Sequence, residues 1–238
     1  MFALYKQNTL AYFRTPIGYT FMSVFLALSG FIFALYNLHN LTGDILSWLS
    51  QLTLLLMLLC PLLTMRLLSE ERQRKTETLL FTSPLSLTQI VLAKYFSAVS
   101  VLLFTILGMQ SYILLIVLYG TVYPSEWVVG FLGFLLQGMS FLALDMLVSS
   151  FAKNQITGAV FAFGANFLLW MADMLAPVAG GGLGKIIEFF SLYSRYEPFI
   201  LGQLRLSSVF FFVVFIVICL TLTIRSLDAR RFRIGGGA

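Results

Sequence analysis

Six continuously apolar stretches, each about 20 residues or longer, dominate this chain. They lie near 17–37, 46–68, 92–120, 127–150, 155–176 and 206–227. A hydrocarbon core about 30 Å thick is crossed by about 20 residues of helix at ~1.5 Å each. Spanning strands would instead show short alternating segments. Backbone polar groups inside lipid must also be satisfied within their own segment. The runs therefore read as six transmembrane helices. Composition closes the alternatives: only 11% of residues are charged and 59% are hydrophobic, whereas a soluble domain is about 25% charged. An aromatic content of 16% also excludes a disordered chain. The fifth run is the least clean, because it carries Asn166 and Asp173.

Lys and Arg orient the six runs. With six spans, both termini and the 2–3 and 4–5 loops share one side. That side holds 12 of the 15 Lys and Arg residues; Lys185, Arg195 and Arg205 fall on the other. The positive-inside rule then puts both termini in the cytoplasm, and it accounts for the net charge of +5 without nucleic acid. Asp44, Glu126, Glu188 and Glu197 mark the outer segments, and Trp48 and Trp127 stand near outer span ends, where an aromatic belt belongs. Residues 2–13 mix Phe2, Tyr5, Tyr12 and Phe13 with Lys6, Gln7 and Asn8, the pattern of a short helix lying on the bilayer. No cleavable signal peptide precedes the first run. Cys60 and Cys219 lie inside apolar runs and His39 is alone, so no metal site is expected.

Two connecting segments are more than loops. After the second run, the charged stretch Ser69-Glu-Glu-Arg-Gln-Arg-Lys suggests that the helix continues into the cytosol. Thr76 to Phe81 is amphipathic, with Leu79, Leu80 and Phe81 together, and Ser83-Pro84 breaks it. Ser86 or Thr88 can cap the helix into the third run. A short apolar-faced helix between two breaks suits docking to a soluble partner. Between the fifth and sixth runs, Pro177 and Gly180 to Gly184 break the chain. Ile186, Ile187, Phe189, Phe190 and Leu192 then share one side. This outer segment is either an interfacial anchor or a re-entrant part of a pathway.

Three blocks carry a resemblance. They are Arg66-Leu-Leu-Ser-Glu-Glu-Arg through Thr82-Ser-Pro-Leu-Ser to Leu92-Ala-Lys-Tyr; Leu147-Val-Ser-Ser-Phe-Ala-Lys-Asn-Gln-Ile; and Ser191-Leu-Tyr-Ser-Arg-Tyr-Glu-Pro-Phe-Ile-Leu-Gly with the closing Arg225-Ser-Leu-Asp-Ala-Arg-Arg. In this order they resemble the membrane subunit of ABC-2 type ABC transporters, the small six-span permeases of the gliding-motility and nitrous-oxide-reductase-maturation type. The pattern departs from the family at Lys75, Ala93 and Asp145. The resemblance implies one all-α membrane domain over residues 1–238, with an interfacial N-terminal helix, a coupling helix in the 2–3 loop and an outer hairpin before the last span. It implies a permease subunit, an exporter by family default, in the plasma (inner) membrane. It also implies a cytosolic ATP-binding cassette ATPase as partner and a second permease protomer, identical or not. Glu70, Glu71, Thr76, Leu79, Leu80, Phe81 and Pro84 would then couple to the ATPase.

The chain has no G-x-x-x-x-G-K-[ST] phosphate loop. ATP and Mg are therefore expected on the partner, with no cofactor on this chain and no enzyme activity of its own. Asp145 is a substrate or proton site, or an inter-helix hydrogen bond; a carboxyl inside a span is costly either way. Gly158, Ala162 and Asn166 recur at helical spacing and allow close helix approach. They serve either a dimer seam beside a substrate path or packing within one protomer. Asn154 and Gln155 cap and turn the chain there, and Arg230, Arg231 and Arg233 read as a positive-inside stop. Membrane lipid is the remaining partner. A non-transporting scaffold or sensor is the alternative function; an intramembrane lipid enzyme lacks the nucleophile or metal cluster it would need.

Overall fold

In a computed structural model, the chain is described over residues 1–68, 85–119, 123–152, 154–181, 184 and 191–235. The described residues are helical throughout, without strands, and six of the helices are long and apolar enough to cross a membrane. We number them α1 (Phe2–Arg14), α2 (Pro16–Phe33), α3 (Ile45–Thr64), α4 (Leu87–Tyr119), α5 (Pro124–Ser149), α6 (Gln155–Ala179), α7 (Leu192–Ile200) and α8 (Leu206–Gly235). The six expected spans are α2 to α6 and α8. At 33 residues, α4 is about 50 Å long. That exceeds a hydrocarbon core of about 30 Å, so α4 overhangs the bilayer.

Helix ends follow the local chemistry. Pro16 starts α2 at a position where the missing N–H costs nothing. A π-turn over Ala34–Leu38 ends that span, and the buried Asn37 amide donates to Thr42 O (3.2 Å) and Asp44 O (3.0 Å) across the following turn. Asp44 then caps α3 by accepting from Ser47 N at 3.0 Å. Ser86 caps α4 reciprocally with Gln89, both bonds being 3.3 Å. Asn154 does the same for α6 with Thr157, at 2.8 and 3.3 Å.

Two expectations are corrected. The second span does not stay helical through Leu68: α3 stops at Thr64 and Met65 to Leu68 form turns, while the charged stretch 69–75, where the helix was expected to continue, lies outside the described residues. Pro61 lies in its last turn, where it supplies no N–H. Trp48 is no belt residue. It is fully buried, donates Nε1–H to Ser29 O (3.1 Å), and stands edge-on to Phe33 and Tyr112. Trp127 remains partly exposed, with its indole N–H donating to Gln110 Oε1 at 2.8 Å.

Helix α5 is the hub: it packs against α3, α4, α6, α7 and α8. Glycine makes this possible. A Cβ on Gly133 would lie 2.4 Å from Phe199 Cγ, so the fully buried Phe199 ring seats α7 directly on the α5 backbone. Gly18 serves the α1–α2 corner similarly, because a Cβ there would meet Tyr12 O at 2.7 Å. Overpacking costs about 1–3 kcal/mol, so Gly133→Ala should destabilise the bundle by that order and loosen α7. Thermal unfolding in detergent of the single variants and of Gly133→Ala with Phe199→Ala provides the check. The pair should lose less than the sum of its parts; strict additivity would mean that the ring does not occupy the notch.

Candidate functional site

The coupling residues expected from the sequence, Glu70, Glu71, Thr76, Leu79, Leu80, Phe81 and Pro84, lie outside the described residues. Both chain ends that lead to them are described, and both are anchored. On the α3 side, Leu67 and Leu68 are buried. Arg66 donates to Thr15 Oγ1 at 2.8 Å, and the buried Lys94 ammonium of α4 donates to Leu67 O. On the other side stands the Ser86 cap of α4. Helix α1 braces the same end. Tyr12 OH donates to Leu63 O (2.6 Å), Tyr5 OH pairs with Ser100 Oγ (2.7 Å), and Phe13 meets Phe104 edge-on.

The 4–5 connection is tied to α8. Ser150 Oγ lies 3.1 Å from Ser226 Oγ, and Arg230 donates to Ser150 O. A guanidinium on the carbonyls that end α5 complements the negative end of its dipole. Arg230 thus has a structural bond that its reading as a stop signal missed. Lys94 was likewise read as a topological charge. Neither role was legible, because both acceptors are backbone carbonyls, which any residue carries.

Deeper in the bundle, the structure brings together two of the four pathway candidates. Asp145 of α5 and Asn166 of α6 are both fully buried and lie side by side. Asn166 donates Nδ2–H to Met57 O of α3 at 3.3 Å. Cys60, one turn further along α3, is close enough to feel the Asp145 charge. Neither carboxyl oxygen of Asp145 meets hydrogen-bond geometry with any group.

Gly158 and Ala162 lie on the same buried face of α6 as Asn166, and α6 packs on α3, α5 and α7. The small-residue face of α6 is therefore packed within the protomer, with bulky residues turned outward.

A second polar group was not expected from the sequence. Thr53 of α3 donates to Gln137 Oε1 of α5 at 3.2 Å, and the buried Tyr196 of α7 stands beside Thr53. Burial pushes the Tyr196 phenol well above the ordinary tyrosine range, with the Thr53 hydroxyl acting the other way. Between the two polar groups lies a cavity of about 20 Å³, lined by Thr53, Met57, Gln137 and Phe141 among others. Among the described residues, no group of three or more His, Cys, Asp or Glu could hold a metal.

A six-span helical bundle with buried polar seams defines a multi-pass membrane protein. The chain belongs to the ABC-2 family of transporter proteins, whose family model matches residues 49–227, three quarters of its length. It is thus a transporter permease, and its family works with an ATP-binding cassette partner. A comparison with curated proteins finds no match.

Hydrogen bonds to charged groups contribute about 1.5–3 kcal/mol. Lys94→Met should therefore raise amide hydrogen exchange at Met65–Leu68 while leaving α4 beyond Val99 protected as in the wild type. Unchanged exchange at those four residues would show that the ammonium does not hold the turn.

Proposed function

We propose that this chain is the membrane subunit of an ATP-driven exporter in the plasma membrane, with both termini cytoplasmic. A separate ATPase that binds ATP and Mg drives it through the 69–84 segment. The observation that carries this reading is the family match together with the anchoring of that segment. A loop that transmits force needs rigid ends. Here one end is tied by Arg66 and Lys94 and the other by the Ser86 cap. The apolar Leu79-Leu80-Phe81 run supplies a docking face on an otherwise charged loop, in the manner of an amphipathic helix laid into a partner's groove.

Two permease copies, identical or not, form the working unit, with the substrate path between them. Four spans, α3, α4, α6 and α8, pack on the single hub α5 and leave little room for a conduit inside one copy. Of the six spans, α6 is the least covered by its own protomer, with 17% of its residues buried against 28–56% for the others. Its outward face carries Val160, Phe163, Phe167 and Leu168, and the Phe163 and Phe167 rings stack at 6.2 Å. This face replaces the Gly158 and Ala162 face as the one offered to a second copy.

Replacing Leu80 and Phe81 with Asp should abolish co-purification of the ATPase, a loss of at least tenfold, while the permease remains inserted. An intact complex carrying both substitutions would sink the coupling claim. For topology, single cysteines at the exposed Gln203 and at Ser226 in a background lacking Cys60 and Cys219 should label from opposite sides. An impermeant reagent should reach position 203 in intact cells and position 226 only after lysis; the reverse pattern would invert the orientation.

A further inference from the structure

Three oxygen acceptors and a single amide group meet where α3, α5 and α6 join. Asp145 is fully buried and both of its carboxyl oxygens are unpaired; Asn166 beside it is fully buried with Oδ1 unpaired. Asn166 Nδ2 gives one N–H to Met57 O; its second N–H is the one donor set toward the Asp145 carboxyl, without reaching full hydrogen-bond geometry. Turning the amide over does not help. It would aim Nδ2 elsewhere but set Oδ1 against the Met57 carbonyl, exchanging one acceptor pair for another.

Among the described residues, no cation is paired with the Asp145 carboxyl. Of the neighbouring helices, α3 presents Cys60, which lies near Asp145, Tyr95 of α4 and Cys219 of α8. Tyr95 directs its hydroxyl to Met139 O (3.0 Å), and Lys94 of α4 directs its ammonium to Leu67 O. Helix α6 presents the neutral Asn166, and the α7 hydroxyl, Tyr196, belongs to the Thr53 group. An ionised carboxylate offered no more than one amide N–H is still among the costliest groups to bury. A single proton changes the balance, because a protonated carboxyl is itself a donor, and an unpaired amide oxygen lies beside it.

We propose that the α3–α5–α6 seam is a proton-binding site, with the proton carried on Asp145 and Asn166 Oδ1 as its acceptor. The proton is retained while the seam is closed. When α6 moves from α3 and water enters, the O–H bond breaks, its electron pair stays on the carboxylate and the proton passes to water. The small cavity lined by Met57 and Phe141 lies one turn away and has room for about one water molecule. The closed form thus binds one proton more than the open form, so raising the pH favours opening. This ties the conformational equilibrium of the permease to pH at a site separate from ATPase docking.

The test is infrared spectroscopy of the full chain in lipid nanodiscs at neutral pH, with aspartate labelled by carbon-13 at its side-chain carboxyl. A label-sensitive band of a neutral carboxylic acid is expected, amounting to one aspartate and lost in Asp145→Asn. Carboxylate bands alone in the labelled wild type would overturn the proposal, and that spectrum decides the matter even if the variant does not fold. A neutral-acid band that survives unchanged in a folded Asp145→Asn protein would place the proton elsewhere and overturn it equally. The spectrum is repeated in sodium, potassium and choline buffers. A neutral-acid band that appears only when sodium and potassium are absent would assign the seam to a metal cation instead, and the proton site would be rejected.

Discussion

The close approach of other helices to α5 is the interaction on which the rest of the bundle depends. Inside a bilayer, apolar residues gain nothing by leaving lipid for protein, so helices associate through tight packing and hydrogen bonds. Helix α5 supplies both. Its glycines let Leu46 and Leu49, Phe199, and Leu102 approach at Gly130, Gly133 and Gly138, respectively. Its Gln137 and Asp145 face polar neighbours on α3 and α6. Lengthening a side chain at these notches would push away α3, α4 or α7, and with them the polar seams that the α5 contacts enclose.

At the end where α3 stops and α4 begins, a different chemistry takes over. Helix termini leave carbonyls without partners, and long basic or phenolic side chains satisfy them: Tyr12 at Leu63, Lys94 at Leu67, Arg230 at Ser150. These bonds join elements that are far apart in sequence. They tie α1 and the start of α4 to the end of α3, and the last turns of α8 to the end of α5. The seam around Asp145 lies about one helical turn from that end of α5.

Much of this was legible in the sequence. The six spans were read within a few residues, because continuous apolarity over about 20 residues has few other solutions. The caps at Ser86 and Asn154 were legible because their side chains act on nearby backbone. What was not legible shares one property: it depends on which helix lies opposite. Trp48 looked like a membrane-interface residue by its place near a span end, but Phe33 and Tyr112 close over it. Span 2 looked continuous through Leu68, but it ends at Thr64 and turns follow, where Lys94 of α4 takes the Leu67 carbonyl. The Thr53–Gln137–Tyr196 group left no signal, since each residue is unremarkable in its own run.

The sequence alone therefore determined the class of this protein, its number of spans and its family, since these rest on apolar run length, charge placement and local motifs. Only the tertiary structure decided what each face of each helix does. Gly158, Ala162 and Asn166 form one stripe in either reading, and a stripe of small residues fits a neighbour in the same protomer as well as one in a second copy. The packing of α6 on α3 and α5 chose the first. The same packing set Asp145 beside an amide that already gives one N–H to Met57 O, an encounter between residues 21 positions apart that no local pattern encodes.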